Sequence, residues 1–148
     1  MNERIVVGVD GSETSRLATR WAANEARLRG ADLELVSAWE IPTYDFGLGL
    51  TGSSEEIMKG LLQVAQHHLD AATEEAQAGG GSLKVETRAI EGQAARVLMD
   101  ASRDADLLVV GSRGLGGFRE LMLGSVSQQC ADHAGCPVVI VRHAHGDA

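Results

Sequence analysis

The chain has 148 residues, 44% of them apolar and 3% aromatic, with a formal net charge of −8. That length suits one domain around one core built mainly from Ala, Leu and Val, and speaks against two domains, whose halves would each be marginal. The acidic balance, with no cluster of Lys and Arg, speaks against general nucleic-acid binding, because phosphate backbones demand clustered cations.

The start, MNERIVVGVDG, enters a strand at once and has no long apolar stretch of the kind that opens a signal peptide. No run reaches membrane-spanning length, so a cytoplasmic protein is expected. Ile5 to Val9 is short, apolar and rich in β-branched residues, which reads as a buried strand. Asp10-Gly11-Ser12 breaks it. A helix follows, with Leu17, Trp21 and Leu28 on one face and Ala18 and Ala22 beside them, and Gly30 placed to end it. Leu33 to Trp39 reads as the second strand. Residues 42 to 54, with Pro42, Gly47, Gly49 and Gly52, form a long loop. Ser54 with Glu55 and Glu56 starts a helix on which Ile57, Leu61, Ala65, Leu69, Ala72 and Ala76 recur at helical spacing. Gly79-Gly80-Gly81 stops it.

Val85 to Ile90 alternates and gives the third strand. Residues 93 to 103 form a short helix that buries Ala94, Val97, Leu98 and Ala101. Leu107 to Val110 is the fourth strand, a glycine-rich loop follows, and a helix runs from about Ser125 to His133. Pro137 opens the fifth strand, Val138 to Val141. The end, HAHGDA, reads as disordered from about residue 143. Strands alternating with helices imply an open parallel sheet covered on both faces, an α/β fold of Rossmann-like type. No internal repeat or interdomain linker interrupts the chain, so residues 1–148 read as a single domain.

In such sheets ligands bind beyond the carboxyl ends of the strands, where strand order reverses. If the first and fourth strands are neighbours, Asp10 to Ser12 and Gly111 to Ser125 converge on one crevice. Glycine lets backbone N–H groups approach phosphate oxygens, and Gly124-Ser125 opens a helix whose N-terminus favours an anion. A GxxxxGK[ST] phosphate loop, a GxGxxG dinucleotide fingerprint and a GxSxG nucleophile elbow are all absent; Arg119 stands where the last glycine of GxGxxG belongs.

Gly111-x2-Gly114-x9-Gly124-Ser125 resembles the G-2x-G-9x-G-[ST] signature of ATP-binding universal stress proteins. Val7 to Ser12 (VGVDGS), the Gly-Ser-Val-Ser run ending at Ser127 and CPVVIV (Cys136 to Val141) are also similar to that family. The resemblance implies strand order 3-2-1-4-5 and an adenine-nucleotide-binding stress-response protein that acts as a sensor or switch, with ATP and Mg²⁺ as ligands. Asp10 would lie against the ribose or a phosphate-bound metal. Ala38 would offer backbone groups to the adenine edge, and Val110 and Gly111 would line the site. Gly114, Gly124, Ser125 and Ser127 would hold phosphates, with the N–H of Val126 at the helix start. The family often carries proline two residues before the Asp, where this chain has Gly8. The resemblance further implies a homodimer in which Val138, Val139, Ile140 and Val141 pair with their copy. A slow ATPase or an autokinase acting on Ser125 or Ser127, and a cyclic-AMP-binding protein, are the alternatives.

Asp10 has a second reading as an Asx turn or helix cap, with Ser12 its competitor. Arg113 and Arg119 can reach phosphates or stay solvated. Cys130, His133 and Cys136 suggest a metal site, but no fourth ligand is evident and the cysteines read as small buried residues. His67 and His68, adjacent on a helix, point different ways and read as surface and edge residues. His143 and His145 fall in the tail.

Overall fold

The computed structural model describes residues 2–41, 54–113 and 123–143. The strands are β1 (Arg4–Gly8), β2 (Asp32–Trp39), β3 (Val85–Glu91), β4 (Leu107–Gly111) and β5 (Val138–Val141). They form one parallel sheet in the order β3-β2-β1-β4-β5. The helices are α1 (Glu13–Arg29), α2 (Ser54–Gln77), α3 (Ala94–Ala101) and α4 (Ser125–His133). The chain winds outward from β1 to β3 and then crosses back to β4 on the other side of β1. Strand order therefore reverses between β1 and β4, which opens a crevice at their carboxyl ends.

Each sheet face carries its own core, because successive side chains of a strand point to opposite faces. Ile5, Val7, Leu33 and Leu35 pack under α1 and α2 with Ala22, Leu69 and Ala72. Val6, Val36, Leu108 and Val110 pack under α3 and α4 with Val97, Leu98 and Cys130. The central strands lack polar alternation for this reason.

The first helix corrects the sequence-based expectation. Its buried residues are Thr14, Ser15, Ala18, Thr19, Ala22, Ala23 and Ala26. Trp21 is 37% exposed and Leu28 83% exposed, so the Leu17-Trp21-Leu28 face is not the one that meets the sheet. The reason is distance. At the end of β4, a Cβ on Gly111 would fall 2.7 Å from the carbonyl carbon of Thr14 and 2.8 Å from the N of Ser15. A helix lying that close to a sheet has room beneath it only for small side chains. Along α2, Ala65, Leu69, Ala72 and Ala76 are buried as their spacing predicts, while Ile57 and Leu61 are half-buried. In α3, Ala95 is buried where Ala94 was expected; Ala94 is half-buried. The expected loop after Pro42 and the tail beyond His143 fall on residues 42–53 and 144–148, outside the described residues.

Candidate functional site

The turn after β1 is built from local hydrogen bonds. Asp10 Oδ1 accepts from the N–H of Ser12 at 2.9 Å, and the N–H of Asp10 donates to Ser15 Oγ at 3.2 Å. Gly11 sits between them at φ 82°, a left-handed conformation that suits glycine. Ser12 is the N-cap of α1, its Oγ accepting from the N–H of Ser15 at 3.2 Å. Asp10 thus makes the Asx turn while Ser12 caps the helix. The Asp10 residue is exposed and still lines the adjoining cavity.

The glycine-rich loop is fastened at both ends. The N–H of Ser112 donates to Val141 O, and the N–H of Gly124 donates to Ser112 O, each at 2.8 Å. Ser127 is buried, and its hydroxyl proton is shared between the carbonyls of Ser112 and Gly124, both at 3.0 Å. The Arg113 carbonyl accepts from Thr14 Oγ1 and, at 3.4 Å, from Ser12 Oγ. These bonds join the loop after β4 to the start of α1.

The start of α4 is different in kind. Its N-cap is Gly124, which supplies no side-chain hydrogen bond, and its first intrahelical bond runs from Gln128 N–H to Gly124 O at 3.0 Å. The N–H groups of Ser125, Val126 and Ser127 therefore have no partner among the described residues. Unsatisfied amides at the positive end of a helix dipole form an anion site.

These elements surround a cavity of about 470 Å³. From β1 and its turn come Gly8, Val9 and Asp10, and from β2 come Val36 and Ala38. Val110 and Gly111 line it from β4, Arg113 from the loop that follows, and Gly124, Ser125, Val126 and Ser127 from the start of α4. The structure brings together nine of the ten residues singled out in the sequence; Gly114 lies outside the described residues, as does Arg119. Ala38 is placed for backbone contacts. Val36 O accepts from Val9 N–H at 2.8 Å, and β1 pairs with β2 only as far as Gly8 opposite Val36. Residues two apart on a strand face the same neighbour, so the N–H and C=O of Ala38 point past the end of β1.

Sequence reasoning missed Val9, Ser15, Val36, Ala94 and Leu98 as lining residues. The signal for Ala94 and Leu98 was available: α3 also begins beyond the carboxyl end of a strand. Gly8, noted only as a departure from proline, makes room for Leu98. A Cβ there would lie 2.7 Å from Leu98 Cδ1 and 3.5 Å from Val110 Cγ1. For Gly111, the close approach of the α1 backbone is a reason for glycine that the phosphate argument did not anticipate.

Asp10 and Arg113 are the charged side chains among the described lining residues. Cys130 and Cys136 are free thiols. Cys130 is fully buried, and burial, then Cys136 nearby, pushes its pKa up to about 11. Among the described residues no group of three or more His, Cys, Asp or Glu could hold a metal ion. No helix among them is long and apolar enough to cross a membrane.

The description of the universal stress protein family matches residues 1–142. Two universal stress proteins of Mycobacterium tuberculosis, Rv2624c and Rv2623, are each 36% identical to the chain, over 138 and 146 residues. Those matches take in 93% of this chain and 47% and 46% of the two relatives, so the chain spans about half their length. Among solved structures, UspA from Lactobacillus plantarum aligns with a TM-score of 0.77 at 24% identity, covering 95% of this chain and 98% of that one. A universal stress protein in complex with cAMP aligns at 0.74 and 28% identity, covering 97% and 99%. The Archaeoglobus fulgidus protein in complex with dAMP aligns at 0.67 and 26%, covering 94% and 97%. The chain belongs to the universal stress protein family.

Proposed function

We propose that the cavity binds an adenine nucleotide, with ATP and Mg²⁺ as the loaded form, and that the protein works as a nucleotide-dependent sensor or switch in a stress response. The open N-terminus of α4 carries this reading. At the starts of α1 and α3 the side chains of Ser12 and Gln93 each accept one amide N–H, whereas among the described residues no side chain caps α4 and the amides of Ser125, Val126 and Ser127 at the cavity have no partner. An anion at that position supplies what the helix lacks. The complexes of similar proteins with cAMP and dAMP support adenine as the other end of the ligand.

In this reading the phosphates lie on Gly124, Ser125 and Val126, with Gly114 and Arg113 alongside. Ser127 contributes its N–H, because its hydroxyl proton is already engaged. Ala38 meets the adenine edge through its backbone, and Val110 and Gly111 form the wall. Asp10 takes a ribose hydroxyl or Mg²⁺. Its surroundings fit the ion: one carboxylate oxygen is tied to Ser12 N–H and the residue is exposed at the cavity, and Mg²⁺ is commonly held by one carboxylate together with nucleotide phosphates.

Calorimetry on the wild type and on Gly124→Val tests the assignment. A side chain beside the α4 amides should abolish ATP binding with the fold intact; equal affinities would overturn it. Asp10→Asn should weaken Mg·ATP more than metal-free ATP if Asp10 helps to hold the ion. Nucleotide released from freshly purified protein distinguishes ATP from cAMP, the second reading, which the 28%-identical cAMP complex favours. Single-turnover measurement separates a sensor from a slow ATPase.

The assembly we propose is a homodimer through β5, in a reducing, cytoplasmic setting that suits two free cysteines. Among the described residues β5 pairs with β4 on one side only, and its four β-branched residues are half-buried. Two-fold pairing with a second copy satisfies the open edge and closes the assembly.

A further inference from the structure

The turn that carries Asp10 is backed, on the side away from the cavity, by one side chain of α2. A Cβ placed on Gly11 would fall 2.5 Å from Nε2 of His68, 2.7 Å from its Cδ2 and 2.9 Å from its Cε1. Three ring atoms at such short range mean that the imidazole covers the glycine broadly. Leu69 and Ala72, next to His68 on α2, are buried in the core, so the helix is anchored beside the contact. The ring itself borders a groove of about 460 Å³ between α1 and α2, with His67, Arg16 and Glu75 around it.

The bonds within the turn, from Ser12 N–H to Asp10 Oδ1 and from Asp10 N–H to Ser15 Oγ, set its shape. They do not stop Asp10 and Gly11 from moving together toward the groove, because Gly11 has no side chain to fill it. We propose that His68 is a positioning residue for the nucleotide site: its imidazole presses on Gly11 and thereby holds the Asp10 carboxylate at the cavity. The inference rests on the nucleotide reading above. A binding group is placed reliably only when the residues behind it are themselves locked by packing, and His68 supplies that support from an anchored helix.

The test is calorimetry of Mg·ATP with the full chain as wild type, His68→Ala, His68→Gln, His68→Phe, Asp10→Asn and the His68→Ala, Asp10→Asn double variant. Loss of the ring in His68→Ala should weaken binding about three- to tenfold, the range for a residue that supports a site without touching the ligand. His68→Phe restores a planar ring and should recover most of the affinity. In the Asp10→Asn background His68→Ala should have less than about a twofold further effect, because the two act through one carboxylate. If His68→Ala fails to fold, His68→Gln, which also lacks the ring, carries the same expectation. Wild-type affinity in the ring-less variants, or an equal loss with and without Asp10, would overturn the inference alone. A wild type that binds none of ATP, AMP and cAMP would overturn the nucleotide reading, and this inference with it.

Discussion

Gly111 ends β4 against the first turn of α1, with the space for a Cβ occupied by Thr14 and by the backbone of Ser15. Backbone atoms cannot rotate aside as a side chain can, so Gly111→Ala must lift α1 from the sheet. The expected destabilisation is about 1–3 kcal/mol, typical of overpacking, seen as a lower urea midpoint with an unchanged slope. Gly8→Ala meets the end of the Leu98 side chain instead, which can yield. Its effect should fall on ligand affinity, because a displaced Leu98 moves within the cavity wall. Cys130 gives a pH prediction. Its pKa is raised from 9.0 to about 11, so the folded state holds the proton more tightly than the unfolded chain. The stability this contributes is complete below pH 9 and is lost as pH rises through about 11. Thiol labelling of the native protein at pH 8 should modify Cys136 and leave Cys130 unmodified, since the thiolate is the reactive form. Rapid labelling of Cys130 in the folded protein would contradict its burial.

At the scale of an element, α1 shows why hydrophobic spacing is an incomplete guide to burial. Its Trp21 and Leu28 face outward, Leu17 is half-buried, and its alanines face the sheet. Leu28→Ser should change stability by no more than about 0.5 kcal/mol, as an exposed substitution does. Ala22→Leu, which adds volume under the helix, should cost about 1–3 kcal/mol. Reversal of that order in thermal or urea unfolding would show that the face is misassigned. The cap of α1 has two duties, because Ser12 Oγ both accepts from Ser15 N–H and reaches the Arg113 carbonyl. Ser12→Ala should lose about 1 kcal/mol for the cap.

At the scale of the molecule, the reversal between β1 and β4 brings together a turn and a loop that lie far apart in the sequence, and among the described residues the first amides of the helix after that loop have no partner. The edge at β5 makes the last prediction. Light scattering at micromolar concentration should give twice the 15.6 kDa chain mass. Ile140→Pro removes an edge donor and should shift the protein toward monomer, provided that circular dichroism shows the fold retained. A wild-type monomer across that range would remove the β5 interface from the proposal.

The sequence by itself determined the β/α order and nearly every boundary, because short β-branched runs, helical spacing and glycine stops act locally. Gly30 closes α1 at φ 66°, and Ser54 begins α2 as its acidic first turn predicts. The glycines after β4 and the Asp after β1 were legible as a candidate site for the same reason. The strand order came from the resemblance, since one β/α order is compatible with several windings of the sheet. Tertiary structure alone decided what depends on distance between remote segments. Glu34 is buried in β2 only because Arg4 and Arg88 reach it from the strands on either side, at 2.5 and 2.8 Å. Ser127 looked like a phosphate ligand, yet its hydroxyl fastens the loop to the helix. Neither the small-residue face of α1 nor the contact of His68 with Gly11 has a signal in residue spacing. Both follow from how closely packed elements approach, a quantity that exists only once the chain has folded.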